Sequence, residues 1–303
     1  MLEIKTVCSH NLALARAKER KGMRKIQVVV SGLPGNMATL LAEAIEADER
    51  FQLLAGGLTG PDMGGLKSVQ IGKRQIFIYP PDESQEFLDY IRLVEEEEQY
   101  PPVLIADFTH PDAVIKNAEF YCRHGFSFVM GTTGGDRTRL KQIVEESIIS
   151  AVIAPNMAAQ VVALQAAIEY MATTFPDAFS GFQMEVRESH QQGKADTSGT
   201  AKALIAQFNK LGVPFDVSQV DMVRDPDEQL SMGVPAKYLS GHGWHDYRLD
   251  SSDRTMRFEF VHNISGRSPY VAGTLRALTF LAKQVEAKVQ GKAFSMIDVL
   301  KAG

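Results

Sequence analysis

A strand-like run followed by closely spaced glycines constrains the fold of this chain more than any other feature. Four of the five residues in Ile26–Val30 are apolar and β-branched, which is typical of a strand buried on both faces. Gly32, Gly35 and Ala38 follow, and then a helical pattern begins. Glycine permits a tight turn close to a pyrophosphate, and a small residue lets the helix pack on the strand. The spacing predicts a dinucleotide-binding strand–turn–helix; a βα turn without a ligand is the alternative.

Apolar runs and helical patterns alternate from Ile26 to about Pro155. The further runs that we interpret as strands are Gln52–Ala55, Ile76–Tyr79, Val103–Ala106, Phe126–Met130 and Ala151–Ala154. The helical patterns between them are Ser84–Glu97, Pro111–His124 and Asp136–Ile149. Strands that alternate with helices predict right-handed βαβ units around a parallel sheet. The predicted fold class is therefore α/β, with a Rossmann-like doubly wound parallel sheet.

Polar or glycine-rich turns follow four of these strands. They are Gly32–Gly35, Asp107–Thr109, Gly131–Gly135 and Pro155–Met157. Any one of them alone is more typical of ordinary turn chemistry. Because ligands bind at the carboxyl ends of parallel strands, the four turns together are expected to line one crevice.

A second candidate site lies in Glu188–Ala201. His190 precedes Lys194 by four residues, and Thr197–Thr200 then opens a helix. Histidine can donate a proton near neutral pH, lysine supplies a compact positive charge, and a helix N-terminus suits a carboxylate. This order predicts a site for a small anionic substrate, with a capped helix after a polar loop as the alternative.

The second half of the chain predicts an α+β domain with an open mixed sheet. Its strand-like runs are Phe182–Arg187, Tyr247–Leu249 and Met256–His262, the last two joined by a polar turn. Its helical patterns are Ala158–Thr174, Ser198–Leu211, Tyr270–Gln290 and Phe294–Leu300. We therefore predict an N-terminal extension over 1–24, a dinucleotide-binding domain over 25–155 joined by 268–303, and a substrate-binding and oligomerisation domain over 156–267.

Composition argues against several partners and ligands. A net charge of −5 gives no general basic field for nucleic acid, and no apolar run approaches the ~20 residues that span a bilayer. Cys8 and Cys122 are too few for a disulfide framework and fit a reducing compartment. His242 and His245 have no nearby cysteine or carboxylate pattern, so no metal is predicted. We expect a cytoplasmic protein; if the basic N-terminal stretch is a targeting remnant from a plant or alga, the chloroplast stroma is the alternative.

Several motifs occur together in one order along the chain. They are Gly32–Met37, Asp107–Thr109, Gly131–Gly134, Pro155–Met157, Glu188–Thr200, His262–Arg267 and Phe294–Leu300. On these motifs the chain, from about Lys25 to Leu300, resembles the dihydrodipicolinate (4-hydroxy-tetrahydrodipicolinate) reductase family of lysine biosynthesis, and its plant-type branch in particular. The resemblance implies a homo-oligomer, dimer or tetramer, that acts on a small dicarboxylate with a nicotinamide cofactor.

The resemblance also implies residue roles. His190 matches a histidine that protonates or positions the substrate, and Lys194 matches the catalytic lysine. The residues that match the substrate site are Ser198, Gly199, Thr200 and Arg267. The residues that match the cofactor site are Gly32, Gly35, Asn36, Met37, Thr59, Phe108, Gly131, Thr132, Thr133, Pro155, Asn156 and Met157.

The chain departs from the common bacterial pattern at several positions. Gln191 and Thr197 replace a second histidine and a proline, and Asn36 replaces an arginine of the glycine loop. Leu58–Gly60, after the second strand, lacks the acidic residue that would bind an unphosphorylated ribose. Since no carboxylate repels a 2′-phosphate, and Thr59 could donate to it, we predict that NADPH is preferred and NADH is possible.

The predicted activity is the NAD(P)H-dependent reduction of 4-hydroxy-tetrahydrodipicolinate to tetrahydrodipicolinate, with protonation aided by His190 and Lys194. Two alternatives stay open. Another Rossmann-type amino-acid dehydrogenase would lack the run Lys194–Thr200, and a non-catalytic dinucleotide-sensing protein would be expected to lose His190 or Lys194.

Overall fold

The computed structural model of the chain describes residues 25–61, 63–95 and 102–303. Its described residues form two compact units, one running to Met157 and including Val271–Gly303, the other Ala158–Tyr270. The domain ends predicted at 155 and 267 lie two and three residues before Met157 and Tyr270. The predicted extension over 1–24 lies outside the described residues.

The strands, in chain order, are β1 (Ile26–Ser31), β2 (Phe51–Leu53), β3 (Gly56–Leu58), β4 (Ser68–Ile71), β5 (Arg74–Tyr79), β6 (Leu104–Asp107), β7 (Ser127–Met130), β8 (Ser150–Ile153), β9 (Phe182–His190), β10 (Asp221–Val223), β11 (His242–Ser251), β12 (Arg257–Ser265) and β13 (Lys292–Phe294). The α-helices are α1 (Asn36–Ala47), α2 (Ser84–Glu95), α3 (Val114–His124), α4 (Arg137–Glu145), α5 (Ala159–Thr174), α6 (Gly199–Lys210), α7 (Pro226–Ser231), α8 (Ser268–Glu286) and α9 (Met296–Lys301).

The first unit is built around a six-stranded sheet in the order β13-β8-β7-β6-β1-β2, in which every neighbouring pair is parallel. Val28, Val29 and Val30 are at most 1% exposed, so β1 is buried on both faces, as its β-branched composition predicts. Apolar side chains of α2, α3 and α4 pack in one cluster with the central strands. The predicted Rossmann-like α/β fold is confirmed.

A small three-stranded sheet, in the order β3-β5-β4, differs from the prediction. The sequence places Ile76–Tyr79 in the parallel series, but this segment belongs to β5 of the small sheet, and β2 ends at Leu53. Gly57 permits the arrangement, because a Cβ added there would lie 2.2 Å from the Val30 carbonyl oxygen. Two glycines in β3 carry no side-chain alternation, so the sequence gives no strand signal there.

The second unit contains a four-stranded mixed sheet in the order β10-β9-β11-β12, in which β10 is parallel to β9 and the other pairs are antiparallel. Apolar side chains of α5 and α6 pack with the sheet in one core that includes Ile168, Leu204, Phe208, Tyr247 and Leu249. The predicted α+β class is confirmed. The strands are longer than predicted, since β9 continues to His190 and β11 begins at His242.

The C-terminal segment completes the first unit. β13 adds to the edge of the large sheet beside β8. In α8, Gly273 allows close packing, because a Cβ there would lie 1.6 Å from the carbonyl oxygen of Met157. Across the described ranges, no helix combines the length and apolarity needed to cross a membrane.

Candidate active site

Gly32 and Gly35 form the turn between β1 and α1. Gly32 has a φ of +105°, which favours glycine, and its N–H donates to the Leu58 carbonyl at 2.8 Å. The Gly35 N–H donates to the Gly32 carbonyl at 2.8 Å, and α1 begins at the exposed Asn36 without a side-chain cap. An uncapped helix start beside a glycine turn fits a pyrophosphate, as the spacing predicts.

Three strand-end turns lie together at this edge of the large sheet. β1 lies between β2 and β6, where the strand order reverses, and this is the usual ligand position of the fold. A Cβ on Gly32 would lie 2.2 Å from the Phe108 carbonyl oxygen, and a Cβ on Gly131 would lie 2.2 Å from the Phe108 ring. The turns after β1, β6 and β7 therefore meet around Phe108.

Asp107, at the end of β6, is a fully buried carboxylate. Its Oδ1 accepts hydrogen bonds from the Thr109 N–H at 3.1 Å, the Thr109 hydroxyl at 2.7 Å and the Thr132 hydroxyl at 3.0 Å. Its Oδ2 accepts from Asn117 Nδ2 at 2.9 Å and the Tyr121 hydroxyl at 2.8 Å. Burial, together with this carboxylate, raises the pKa of Tyr121. Asp107 therefore ties the turn after β6 to the turn after β7.

The remaining residues predicted for the cofactor site differ in exposure. Thr133 and Pro155 are exposed, whereas Met37 and Asn156 are half-buried. Met157, by contrast, is only 2% exposed and belongs to the core of its unit.

Thr59 is also turned inward. It is 7% exposed, and its hydroxyl donates to the Leu33 carbonyl at 2.6 Å. Because its one proton is already used, donation to a 2′-phosphate would require this hydrogen bond to break, and the place of Thr59 in the cofactor site stays a prediction.

His190 is the last residue of β9 rather than part of a loop. Its Nδ1–H donates to the His242 carbonyl at 2.8 Å, and its buried Nε2 has no hydrogen-bond partner among the residues described. Gly243 leaves room for the ring, since a Cβ there would lie 2.8 Å from His190 Cε1. These contacts fix the tautomer in which Nε2 accepts a hydrogen bond.

The protonation state of His190 differs from the expectation. Burial lowers the pKa of His190 to about 4, although the nearby Glu188 carboxylate opposes the shift. The imidazole is therefore neutral at pH 7 and has no proton to give at Nε2. This state of the ligand-free chain depends on burial against β11, which could not be read from the loop-like sequence, and the part that His190 plays in protonation stays a prediction.

Glu188 joins three parts of the second unit. Its Oε1 accepts from Arg224 Nη2 at 2.7 Å, and its Oε2 accepts from the Ser198 N–H at 2.8 Å and lies 3.3 Å from His245 Nε2. Burial raises the pKa of Glu188, but these hydrogen bonds outweigh burial and hold it well below its ordinary value of 4.5. Glu188 is therefore a buried anion that anchors the start of α6 to β9 and β11.

The start of α6 presents the predicted carboxylate cradle only in part. Ser198 is 8% exposed, its hydroxyl caps the helix and its N–H is bonded to Glu188, so it is turned inward. Gly199 is exposed and Thr200 is half-buried. Lys194, in the preceding loop, donates to Asp196 Oδ1 at 2.9 Å and has a side chain that is 22% exposed.

Arg267 follows β12 and is half-buried. Its Nη1 would lie 3.2 Å from a Cβ on Gly241, and Gly241 is two residues before Gly243, which accommodates His190. The two glycines thus bring the Arg267 guanidinium and the His190 ring to neighbouring positions at the start of β11.

Glu188, His190 and His245 bring three possible metal ligands within 4.8 Å of one another. The sequence around His242 and His245 shows no metal-ligand pattern, but strand pairing places Glu188 opposite His245. Both Glu188 oxygens already accept hydrogen bonds, one of them from a guanidinium, which disfavours a cation at this position. That the site holds no metal stays a prediction.

Sequence reasoning misses Glu188, Arg224 and His245 as site residues. A signal exists for Glu188, since it continues the inward-facing alternation of Met184 and Val186 along β9. Arg224 offers none, because β10 spans only three residues.

The first unit has a doubly wound sheet with a glycine turn suited to phosphate. The second unit has a mixed sheet that carries a buried carboxylate, a histidine and a lysine. Together these features define a two-domain dinucleotide-dependent oxidoreductase. Models described as dihydrodipicolinate reductase, N-terminus, and dihydrodipicolinate reductase, C-terminus, match residues 26–157 and 160–300. The chain belongs to the dihydrodipicolinate reductase family.

Relatives from plants are the more similar of those compared. The chain is 44% identical to 4-hydroxy-tetrahydrodipicolinate reductase 2, chloroplastic, of Arabidopsis thaliana, over 92% of this chain and 78% of that protein. It is 46% identical to a probable 4-hydroxy-tetrahydrodipicolinate reductase 1, chloroplastic, of Oryza sativa subsp. japonica, over 91% and 79%. The reductase of Herminiimonas arsenicoxydans is 29% identical, over 86% and 94%. The predicted resemblance to the plant-type branch is confirmed.

A solved structure shares the fold. Dipicolinate-bound dihydrodipicolinate reductase from Paenisporosarcina sp. TG-14 matches with a TM-score of 0.61 and 18% identity, over 90% of this chain and 99% of that one.

Proposed function

We propose that this chain reduces 4-hydroxy-tetrahydrodipicolinate to tetrahydrodipicolinate with NAD(P)H, in lysine (diaminopimelate) biosynthesis. The observation that carries the proposal is the arrangement of Glu188, His190 and Lys194 around the start of α6, in a chain of this family. Another amino-acid dehydrogenase of the same plan and a non-catalytic dinucleotide sensor remain the alternatives. Neither accounts for a lysine and a histidine kept beside a helix start.

The reaction replaces the substrate hydroxyl with hydrogen. The hydroxyl leaves as water, while one hydride and one proton are added. When bound, NAD(P)H supplies the hydride. The turns at Gly32–Gly35 and around Phe108 would hold this cofactor, because glycine at 32 and 131 lets the turns after β1, β6 and β7 approach closely around Phe108 at the ligand-binding edge of the sheet.

Lys194 is the residue that we propose to supply the proton. Its ammonium lies in a polar loop and is paired with the exposed Asp196, so a bound dicarboxylate can compete for it. His190 orients the substrate by accepting a hydrogen bond at Nε2. A substrate carboxylate beside His190 would raise the pKa of its imidazole above the value of about 4 in the ligand-free chain.

The two substrate carboxylates require positive or N–H partners. Gly199 and Thr200 lie in the first turn of α6, where the helix dipole favours an anion. Arg267 can bind a carboxylate through two parallel N–H groups. We therefore assign carboxylate binding to Gly199, Thr200 and Arg267, and give Ser198 the supporting role of fixing the helix start.

We propose that NADPH is preferred over NADH. Leu58–Gly60 lies level with the glycine turn, since the Leu58 carbonyl accepts from the Gly32 N–H, and it carries no carboxylate to repel a 2′-phosphate. Arg74 is paired with Glu46 at 2.9 Å, so the neutral Leu58–Gly60 segment rather than this arginine supports the preference.

We also propose a homo-oligomer, dimer or tetramer, in the cytoplasm or in the chloroplast stroma of a plant or alga. The family resemblance supports assembly, and the word chloroplastic in the names of the plant relatives supports the second compartment. A monomeric mass by light scattering at assay concentration would contradict the first part.

A coupled assay tests the function. Purified protein is added to the product of dihydrodipicolinate synthase, and oxidation of NADPH and of NADH is followed separately. We expect oxidation that requires the synthase product and is faster with NADPH. A folded protein that oxidises neither cofactor above the blank would refute the proposal.

A further inference from the structure

Arg224 is bonded to the backbone of the loop that carries Lys194. It follows β10, and its side chain is 16% exposed. Its Nε donates to the Lys194 carbonyl at 2.9 Å, its Nη1 to the Glu188 carbonyl at 3.1 Å and its Nη2 to Glu188 Oε1 at 2.7 Å. One planar group therefore joins the end of β9, the following loop and the end of β10.

We infer that Arg224 is a positioning residue for the reduction, because its guanidinium fixes the backbone from which Lys194 reaches the substrate and pairs Glu188 behind His190. The inference rests on the proposed function. It assigns to Arg224 no contact with substrate or cofactor.

The hydrogen bond to the Lys194 carbonyl distinguishes a positioning role of Arg224 from simple neutralisation of the Glu188 charge. An ion pair with the carboxylate requires only one nitrogen, whereas Arg224 uses all three guanidinium nitrogens on separate acceptors. A lysine ammonium at the same position keeps the charge but cannot reproduce a planar fork of donors. The lysine variant therefore tests positioning separately from charge.

The charges around His190 give a second readout. Glu188 lies on its own strand, His242 and His245 face it from β11, His262 lies beside His245 on β12, and Arg224 approaches from β10. Burial chiefly lowers the pKa of His190, and the Arg224 charge lowers it further. The hydrogen bond from Arg224 also contributes to the low pKa of Glu188. Loss of the Arg224 charge should therefore raise the pKa of both groups.

The test compares Arg224→Lys and Arg224→Gln with Arg248→Gln. Arg248 belongs to the same sheet, and pairs with Glu185 and Asp250 away from His190. The measurements are kcat, the substrate KM, the Kd for NADPH, thermal unfolding and the pH profile of kcat/KM. Arg224→Lys should lower kcat roughly 10- to 100-fold with an unchanged NADPH Kd, since small misplacements near the chemistry cost about this much.

Arg224→Gln should lower kcat as well and should also move the acidic limb of the pH profile to higher pH, whereas Arg248→Gln should change neither. Wild-type kcat in Arg224→Lys, an unmoved acidic limb in Arg224→Gln, or a loss of activity explained entirely by unfolding at the assay temperature would each overturn the inference.

Failure of the proposed function can be distinguished from failure of the role inferred for Arg224. A wild-type protein without turnover refutes that function and leaves Arg224 to be tested with pyridine-2,6-dicarboxylate as the probe, by calorimetry. Weaker binding of the probe to Arg224→Lys than to wild type and Arg248→Gln supports positioning of the anion site. Equal binding in all three overturns it.

Discussion

His190 and Lys194 lie four residues apart in the sequence, yet the fold gives them different environments. His190 is held on β9 with its Nδ1–H bonded to a backbone carbonyl, whereas Lys194 lies in a loop with an exposed partner. The lysine is thus able to approach a ligand while its backbone is held by Arg224. The division of roles that we propose, with Lys194 as acid and His190 as acceptor, rests on the difference in burial rather than on residue type.

Lys194→Ala should fold normally and lose most of its turnover. Removing a proton donor from the site should lower kcat by about 10²–10⁴-fold. Its ion-pair partner Asp196 is 72% exposed, so stability should change little. Lys202→Ala is the matched control, because Lys202 pairs with the same Asp196 from the surface of α6. Steady-state kinetics and circular dichroism check both variants; wild-type kcat in Lys194→Ala would remove this residue from the mechanism.

Single residues also show how much of the candidate site can be predicted from the sequence. The types and order of His190, Lys194 and Thr200 predict an anion site; in the structure His190 ends β9, Thr200 lies in the first turn of α6, and Lys194 lies in the loop between these elements. The inward turn of Ser198 could not be predicted, because it depends on Glu188, whose burial is set by strand pairing with β11.

At the scale of elements, the turns after β6 and β7 depend on one buried carboxylate. Asp107→Asn should lower the melting temperature and weaken NADPH binding, because the new amide NH₂ would face donors that now point at an oxygen. An unsatisfied buried group costs about 1–3 kcal/mol. Asp112→Asn is the control, since the Asp112 side chain lies 93% exposed in the following turn. Thermal unfolding and NADPH titration measure both effects, and unchanged values in Asp107→Asn would refute the role assigned to this network.

The end of the second strand offers a test of cofactor choice. Thr59 is a poor choice for it, since its hydroxyl is bonded within the protein. Gly60 offers more space, because among the residues that the structure describes a Cβ there would approach only Met63 Sδ, at 4.0 Å. Gly60→Asp should shift the ratio of kcat/KM towards NADH by repelling the 2′-phosphate, and Gly60→Asn should not. Equal kcat/KM for the two cofactors in the wild type, or no shift in Gly60→Asp, would show that residues outside Leu58–Gly60 recognise the adenosine end of the cofactor.

Elements with a clear period are those that the sequence predicts. β1, α1 and the helices α3 and α5 follow from apolar spacing and from glycine or proline at their ends. β3 consists of two glycines and a leucine, and β10 of three residues, so neither carries a readable pattern. The residues that extend β9 and β11 beyond the predicted runs are mostly polar, because they carry the candidate site. They therefore show no apolar alternation from which the strands could be predicted to continue.

At the scale of the whole molecule, buried neutral histidines make stability depend on pH. Burial lowers the pKa of His190 and of His262 from 6.5 to about 4 in the folded chain. Between those values the unfolded chain binds more protons, so the free energy of unfolding falls as pH is lowered from 6.5 to 4. Glu188 stays ionised in the folded chain because its pKa is held below the ordinary 4.5, whereas in the unfolded chain it takes up a proton near 4.5, so it adds to the fall at the acidic end of this window.

His262→Gln should therefore reduce the slope of stability against pH in this window. His110→Gln should leave the slope unchanged, because the His110 side chain is 73% exposed. Urea unfolding followed by the fluorescence of Trp244 at several pH values measures the slope. Identical slopes in His262→Gln and wild type would mean that His262 is not buried in its neutral form.

The most direct test of the central claim is the transfer of a labelled hydride. NADPH that carries deuterium at the transferable position of its nicotinamide ring is supplied with the dihydrodipicolinate synthase product, and the resulting tetrahydrodipicolinate is analysed by mass spectrometry. A reductase of this family predicts that one deuterium per molecule enters the product with wild-type protein, and that Lys194→Ala binds NADPH normally but forms little labelled product. Label-free tetrahydrodipicolinate, or equal labelling rates for wild type and Lys194→Ala, would contradict the account.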